Sequence, residues 1–210
     1  MKCLLLSQGI TEYTKKDIDK GFCPEKIYQI CCCLRTCFCL SYDIRKDNDF
    51  YVYFLENNIV VKFIGDELRF LGPDERSQAL LLYKALKKRS KKTNIDSWVD
   101  STPGIYIQEF DDFSSFFKEF MAVNEGQIFI VENNEDIYNQ HDGMILNNRK
   151  NNLTEDGNYI FSLYGVSKPN LVTDRSFLQE NGIRSIKFEN LKSIHDQILI
   201  VNYWIDSKRT

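Results

Sequence analysis

Ser41-Tyr-Asp-Ile-Arg-Lys-Asp47 leads into Phe50-Tyr-Val-Tyr-Phe-Leu55, then Asn57-Asn58, then Ile59-Val-Val-Lys-Phe-Ile64. Two short runs rich in β-branched and aromatic residues, parted by residues that tolerate a tight turn, predict a hairpin of two strands. Charge alternates through Asp43, Arg45, Lys46 and Asp47 just ahead of the first run, so these side chains fall on a loop held by rigid neighbours. Binding and chemistry concentrate on such loops. The alternative for Asp43 and Arg45 is an ion pair closed within the loop.

Toward the N-terminus, Pro24 sits in first-turn position of a helix reaching about Phe38, with Ile27, Ile30, Cys31, Leu34, Cys37 and Phe38 on one face. A polar connector over 9–21 separates it from a first strand over 1–7. Toward the C-terminus, Pro73, Asp74 and Glu75 open a helix with an apolar stripe of Ala79, Leu82, Tyr83 and Leu86. Thr102-Pro103-Gly104 has the chemistry of a type II turn leading into a strand over 105–110. Phe113, Phe116, Phe117 and Phe120 share one helical face and are expected in the core. A strand over 127–131, a long polar connection over 132–158 and a strand over 159–164 follow. Such a connection is either functional or contains a short helix. Thr173 is expected to cap a short helix closed by Gly182, before a strand over 183–188 and a last helix marked by Ile194, Ile198, Val201 and Ile205. Strands alternating with helices imply an α/β fold, a largely parallel sheet flanked by helices, in a single domain over 1–210.

Of the 210 residues, 43% are hydrophobic and 27% charged, which suits a globular chain rather than a disordered or fibrous one. No apolar run approaches the ~20 residues a membrane helix needs. The opening Met1-Lys-Cys-Leu-Leu-Leu-Ser7 is too short for a signal peptide, so a cytoplasmic protein is expected. Net charge is −3, so any site for nucleic acid must be a local patch. Lys84, Lys87, Lys88, Arg89, Lys91 and Lys92 make the one dense basic run, although cations at a helix C-terminus also complement its dipole. Seven cysteines accompany only two histidines, and their spacing suits neither a zinc site nor a disulfide framework. Cys31 and Cys37 read as small buried hydrophobes, and no metal is expected. Phosphate-binding glycine fingerprints and a nucleophile with its base are both absent from the sequence.

Five motifs, in order and spacing, give the chain a resemblance. Ser41-Tyr-Asp-Ile-Arg-Lys-Asp47, Phe63-Ile-Gly-Asp-Glu-Leu68, Pro73-Asp-Glu-Arg76, Lys84-Ala-Leu-Lys-Lys88 and Ser101-Thr-Pro-Gly-Ile-Tyr106 together resemble the TrmY family. Its members are archaeal tRNA (pseudouridine-54) N1-methyltransferases of the SPOUT superfamily. The resemblance implies a methyltransferase dependent on S-adenosyl-L-methionine, a C-terminal trefoil knot and a homodimer whose partner subunit completes the RNA site. It places the cofactor around Ile130 and Val131, Ser162 to Gly165, and Lys187, Phe188, Glu189, Asn190 and Leu191, with Gln197 on the last helix. The family tends to carry a Gly-Asp-His type turn, a Ser-Pro loop and a helical cysteine there, where this chain has Ser162-Leu-Tyr-Gly165, Phe188-Glu-Asn-Leu191 and Gln197. It often has histidine at the position of Tyr42.

The chemistry so implied moves a methyl group to a ring nitrogen that loses its proton, so positioning carries much of the rate. Asp43 is the candidate to orient the base or accept that proton, and Arg45 to hold a phosphate or carbonyl oxygen. Arg45, Lys46, Arg76, Lys87, Lys88 and Arg89 are the candidate contacts to tRNA. Two other readings share these features: a small-subunit rRNA pseudouridine N1-methyltransferase, and a catalytically inactive RNA-binding descendant.

Overall fold

A computed structural model describes residues 1–89, 97–132, 144–146 (backbone), 157–163, 165–188, 191 and 193–209. Among them nine strands form one sheet: β1 (Lys2–Ser7), β2 (Asp49–Phe54), β3 (Ile59–Ile64), β4 (Val99–Thr102), β5 (Ile105–Glu109), β6 (Ile128–Glu132), β7 (Met144–Leu146), β8 (Asn158–Ser162) and β9 (Arg184–Phe188). Their spatial order is β4-β5-β3-β2-β1-β8-β6-β9-β7. The helices are α1 (Lys15–Asp19), α2 (Glu25–Phe38), α3 (Glu75–Arg89), α4 (Phe113–Val123), α5 (Arg175–Glu180) and α6 (Ile194–Arg209).

The predicted parallel sheet is present over β2, β1, β8, β6, β9 and β7. The pairs β2 with β3, β3 with β5 and β4 with β5 are antiparallel, so the sheet carries an antiparallel wing. Connection length explains the division. The links at Asn57-Asn58 and Pro103-Gly104 are only long enough to reverse the chain, whereas a parallel neighbour needs a crossover of a dozen or more residues. Asn58 takes left-handed backbone at φ 50°, and its side chain accepts from the Tyr53 hydroxyl and donates to the Asp111 carbonyl.

Every residue of β2 is buried because the strand lies inside the sheet with helices on both faces. Phe50, Val52 and Phe54 face a core shared with α2, α3 and α6. Tyr51 and Tyr53 face a second core under α4, where the Tyr53 ring lies 5.1 Å from Phe113 and 4.9 Å from Phe116. The phenylalanine stripe of α4 is therefore core, as expected. Cys31 and Cys37 are buried in the first core, and burial raises both thiol pKa values, which suits small hydrophobes rather than reactive groups.

Of the strands and α-helices named above, three escaped the sequence reading. The connector over 9–21 contains α1, begun by a capping box between Thr14 and Asp17. β4 precedes the type II turn, and β7 lies within the long connection. The rest of that connection, with any short helix in it, lies outside the described residues. One cap is corrected: Asp174, not Thr173, caps α5 and accepts from the Ser176 amide at 3.0 Å. The Thr173 hydroxyl is already committed to the Asn170 carbonyl at 3.1 Å. No helix among the described residues is long and apolar enough to cross a membrane.

Candidate functional site

The amino ends of the parallel strands gather three of the sequence motifs. The turn after α2 is pinned by a bridge between Cys39 and Ile44, by the Leu40 amide on the Asp43 carbonyl at 2.9 Å, and by the Arg45 amide on the Phe38 carbonyl at 2.7 Å. Arg45 does not pair within this loop. Its guanidinium grips both carboxylate oxygens of Asp206 on α6, each at 2.7 Å, and its side chain is 17% exposed. The Asp43 carboxylate accepts from the Ile44 amide at 2.8 Å and stays exposed. Asp47 meets Arg209; burial alone would raise its pKa, but the hydrogen bond and charge of Arg209 hold it below the usual carboxylate range.

Beneath this loop, buried Asn48 donates to the Cys37 carbonyl at 2.6 Å and to Asn202 Oδ1 at 2.9 Å. Asp49 pairs with Lys2 and accepts from the Gly65 amide at 3.1 Å. A side chain at Gly65 would collide with the carbonyl oxygens of Arg45, Lys46 and Asn48, so glycine lets the segment after β3 lie directly on the loop. Gly104 has φ 78°, and a Cβ there would stand 2.5 Å from the Leu68 nitrogen. The Tyr106 hydroxyl then reaches Glu67. Segments 41–47, 63–68 and 101–106 are thus one packed unit.

The positions expected to hold a cofactor lie at the other end of the strands. Ile130 and Val131 are inside β6 with side chains in opposite cores. Ser162 closes β8 and is buried, and Gly165 at φ 70° has open space where a Cβ would be. Lys187 and Phe188 end β9, with Phe188 stacked on Trp204 at 5.7 Å. Gln197, 2% exposed, donates to the Leu191 carbonyl at 3.1 Å, and its Oε1 is buried with no partner among the described residues. Glu189 and Asn190 lie outside the described residues. Sequence reasoning missed Gln8, which donates to Glu56 at 3.1 Å and accepts from the Ser167 amide at 3.1 Å, joining the ends of β1, β2 and β8. No spacing signals that cluster, because strand pairing alone assembles it.

α6 runs between the two ends. Gln197 and Asp206 are nine residues apart on it, about 13 Å of helix, so within one chain the Asp43 loop and the expected cofactor segments are separated. Of the expected RNA contacts, Lys46 is exposed beside the Asp43 loop. Lys87 lies over the Tyr83 ring at 4.7 Å, and Tyr83 is 5.6 Å from Tyr13 in the connector leaving the carboxyl end of β1. The basic last turn with Lys88 and Arg89 therefore sits toward the carboxyl side. Arg76 is bound to Asp19 at 2.8 Å on the surface. A cleft of about 470 Å³ lined by Met121, Asn124, Gln127 and Gly182 opens at the amino end of β6, away from the expected cofactor positions. Among the described residues no group of His, Cys, Asp or Glu is arranged to hold a metal.

Comparison with known proteins bears on this arrangement. Residues 10–151 match the sequence model of a family described as "Putative SAM-dependent RNA methyltransferase". The chain is 34% identical over 173 residues to a tRNA (pseudouridine(54)-N(1))-methyltransferase of Methanococcus aeolicus, covering 78% of this chain and 75% of the relative. A protein of the same name from Methanococcus vannielii is 34% identical over 181 residues, covering 82% and 80%. One from Methanococcus maripaludis strain C5 is 33% identical over 179 residues, with the same coverage of 82% and 80%. Matched over most of its length by such relatives, and over its three converging motifs by the family's own model, this chain belongs to the TrmY family of RNA methyltransferases.

Proposed function

We propose that this protein is a tRNA methyltransferase that uses S-adenosyl-L-methionine and acts on N1 of pseudouridine 54, as a SPOUT-type homodimer with a knotted C-terminal third. Beside family membership, the observation that carries the reading is Gln197 Oε1, an acceptor buried without a partner among the described residues, where parallel strands end. Ligands of open α/β sheets bind outside the carboxyl ends of the strands, and a buried acceptor is costly unless something satisfies it. The residues fit the cofactor: Gln197 and the main chain at Ser162, Gly165, Lys187, Phe188 and Leu191 would hold it, with Ile130 and Val131 behind. When bound, S-adenosyl-L-methionine supplies the methyl group. Lys87, Lys88 and Arg89 draw the RNA backbone to this side. Arg45 fixes the loop through Asp206, leaving Asp43 to orient the base or take its proton.

The separation of that loop from the cofactor segments is what a dimer repairs. Leu199 and Tyr203, four residues apart on α6, are 50% and 65% exposed. An isologous antiparallel contact of α6 with its copy brings the Asp43 loop of one chain toward the Gln197 end of the other. Topology supports the knot: β8 enters between β1 and β6, and β9 between β6 and β7, strands formed earlier in the chain. Nucleoside mass spectrometry of tRNA transcripts with pseudouridine or uridine at position 54, incubated with cofactor and protein, tests the reaction. N1-methylpseudouridine should form only from the former. Absence of product, with no calorimetric binding of S-adenosylhomocysteine, would overturn the reading.

A further inference from the structure

We infer that Tyr42 is a base-stacking residue, whose ring receives an unstacked nucleobase of the RNA substrate. The inference rests on the RNA-methyltransferase reading and deepens it. Tyr42 is 103% exposed, as open as a tyrosine in an extended chain. Ser41 and Asp43 beside it are exposed as well, but the backbone of the loop is held. Leu40, Asp43, Ile44 and Arg45 are tied by main-chain bonds, by the Asp43 cap on Ile44 and by the two bonds to Asp206. A fully solvated ring on a backbone so firmly held gains nothing for the fold, since burial of such a side chain stabilises by roughly 1.5 to 3 kcal/mol and this one forgoes it. What the arrangement achieves is presentation: the ring is offered with little backbone entropy left to lose on contact.

The surroundings select the partner. Cys39 Sγ lies 4.0 Å from the Gly72 carbonyl oxygen, which sets the turn beside the segment carrying Phe70, 66% exposed. Lys46 is exposed four residues after Tyr42, and Arg69 is exposed immediately before Phe70. Aromatic faces interleaved with cations suit single-stranded nucleic acid, where bases stack on rings and phosphates meet the charges. Methylating a base nitrogen in a folded RNA also requires the target or its neighbour to leave its stack, which supplies a free base face.

Tyr42→Phe and Tyr42→Leu test this with the full-length protein and a tRNA transcript carrying pseudouridine 54. The phenylalanine variant should keep RNA affinity within about twofold. The leucine variant, of similar apolar bulk but without a ring, should weaken it about 10- to 100-fold, mostly in KM rather than kcat, as the loss of one stacked base requires. Neither variant should change the melting temperature of the protein alone, because the ring touches no part of its own chain's core. Leucine binding RNA as well as wild type, while wild type methylates the transcript, would overturn the inference and leave the enzyme reading standing. Wild type that binds no RNA would sink both.

Discussion

The two ends of the sheet are built differently. At the amino end Arg45, Asn48, Asp49 and Asp206 each bond a group brought from a distant part of the chain. At the carboxyl end Gln197 Oε1 is buried with no partner among the described residues, and Gly165 faces open space. The amino end holds a loop in a fixed shape, although Ser101 Oγ, Thr102 Oγ1 and Asn158 Oδ1 there are also buried with no partner among the described residues. In the proposed reading the other end would meet the cofactor through Gln197 and the main chain around it. A motif can therefore serve geometry at one end and contact at the other, and substitution should separate the two.

The largest effect is expected at the amino end. Gly104→Val adds a side chain to a left-handed residue and drives it into the Leu68 backbone. It should cost about 3 kcal/mol or more, roughly 6 to 12 °C in Tm by calorimetry. Next, Asn48→Ala leaves the Cys37 carbonyl and Asn202 short of a buried donor. A loss of about 2 kcal/mol, roughly 4 to 8 °C, is expected. At the carboxyl end the pattern inverts. Gln197→Leu removes one bond, to Leu191, together with the buried acceptor. Its Tm should fall by no more than about 4 °C, while affinity for S-adenosylhomocysteine drops about tenfold. If Gln197→Leu bound as well as wild type, the two ends would not differ in the way described.

The smallest effect sharpens the amino end electrostatically. The Asp47 pKa is lowered in the folded chain by Arg209, so the pair's stabilisation is full above the unfolded carboxylate value near 4 and fades as pH falls through the folded value. Asp47→Asn should therefore lower Tm by about 1 °C or less at pH 7, because such pairs are screened by solvent. That difference should shrink as the pH falls below about 4 in a melting series of both proteins.

Much of this was readable from residue order. The hairpin at Asn57-Asn58, the α4 stripe and the buried cysteines of α2 follow from local periodicity and turn chemistry, which packing then obeyed. What could not be read was which end of the sheet each motif would reach. That depends on strand direction, and the antiparallel wing hinges on two short reversals. The partner of Arg45 was hidden for the same reason: Asp206 is 161 residues away, and nothing local distinguishes it from Asp196, the other acid on α6. β4 and β7 are too short, at four and three residues, to carry an alternating pattern. The exposure of Tyr42 was equally silent, since a tyrosine beside a charged turn reads the same buried or bare.

β9 has a consequence for how the protein comes to exist. It lies between β6 and β7, although both leave the ribosome before it. β1 likewise waits for β8, made some 150 residues later, to cover its second side. At roughly 5 to 20 residues per second, the nascent chain spends seconds with bare strand flanks before Arg184 to Phe188 are synthesised. Those flanks pair readily with other unfinished chains. Truncation or stalling just before β9 would thus yield a sticky product rather than a smaller soluble one.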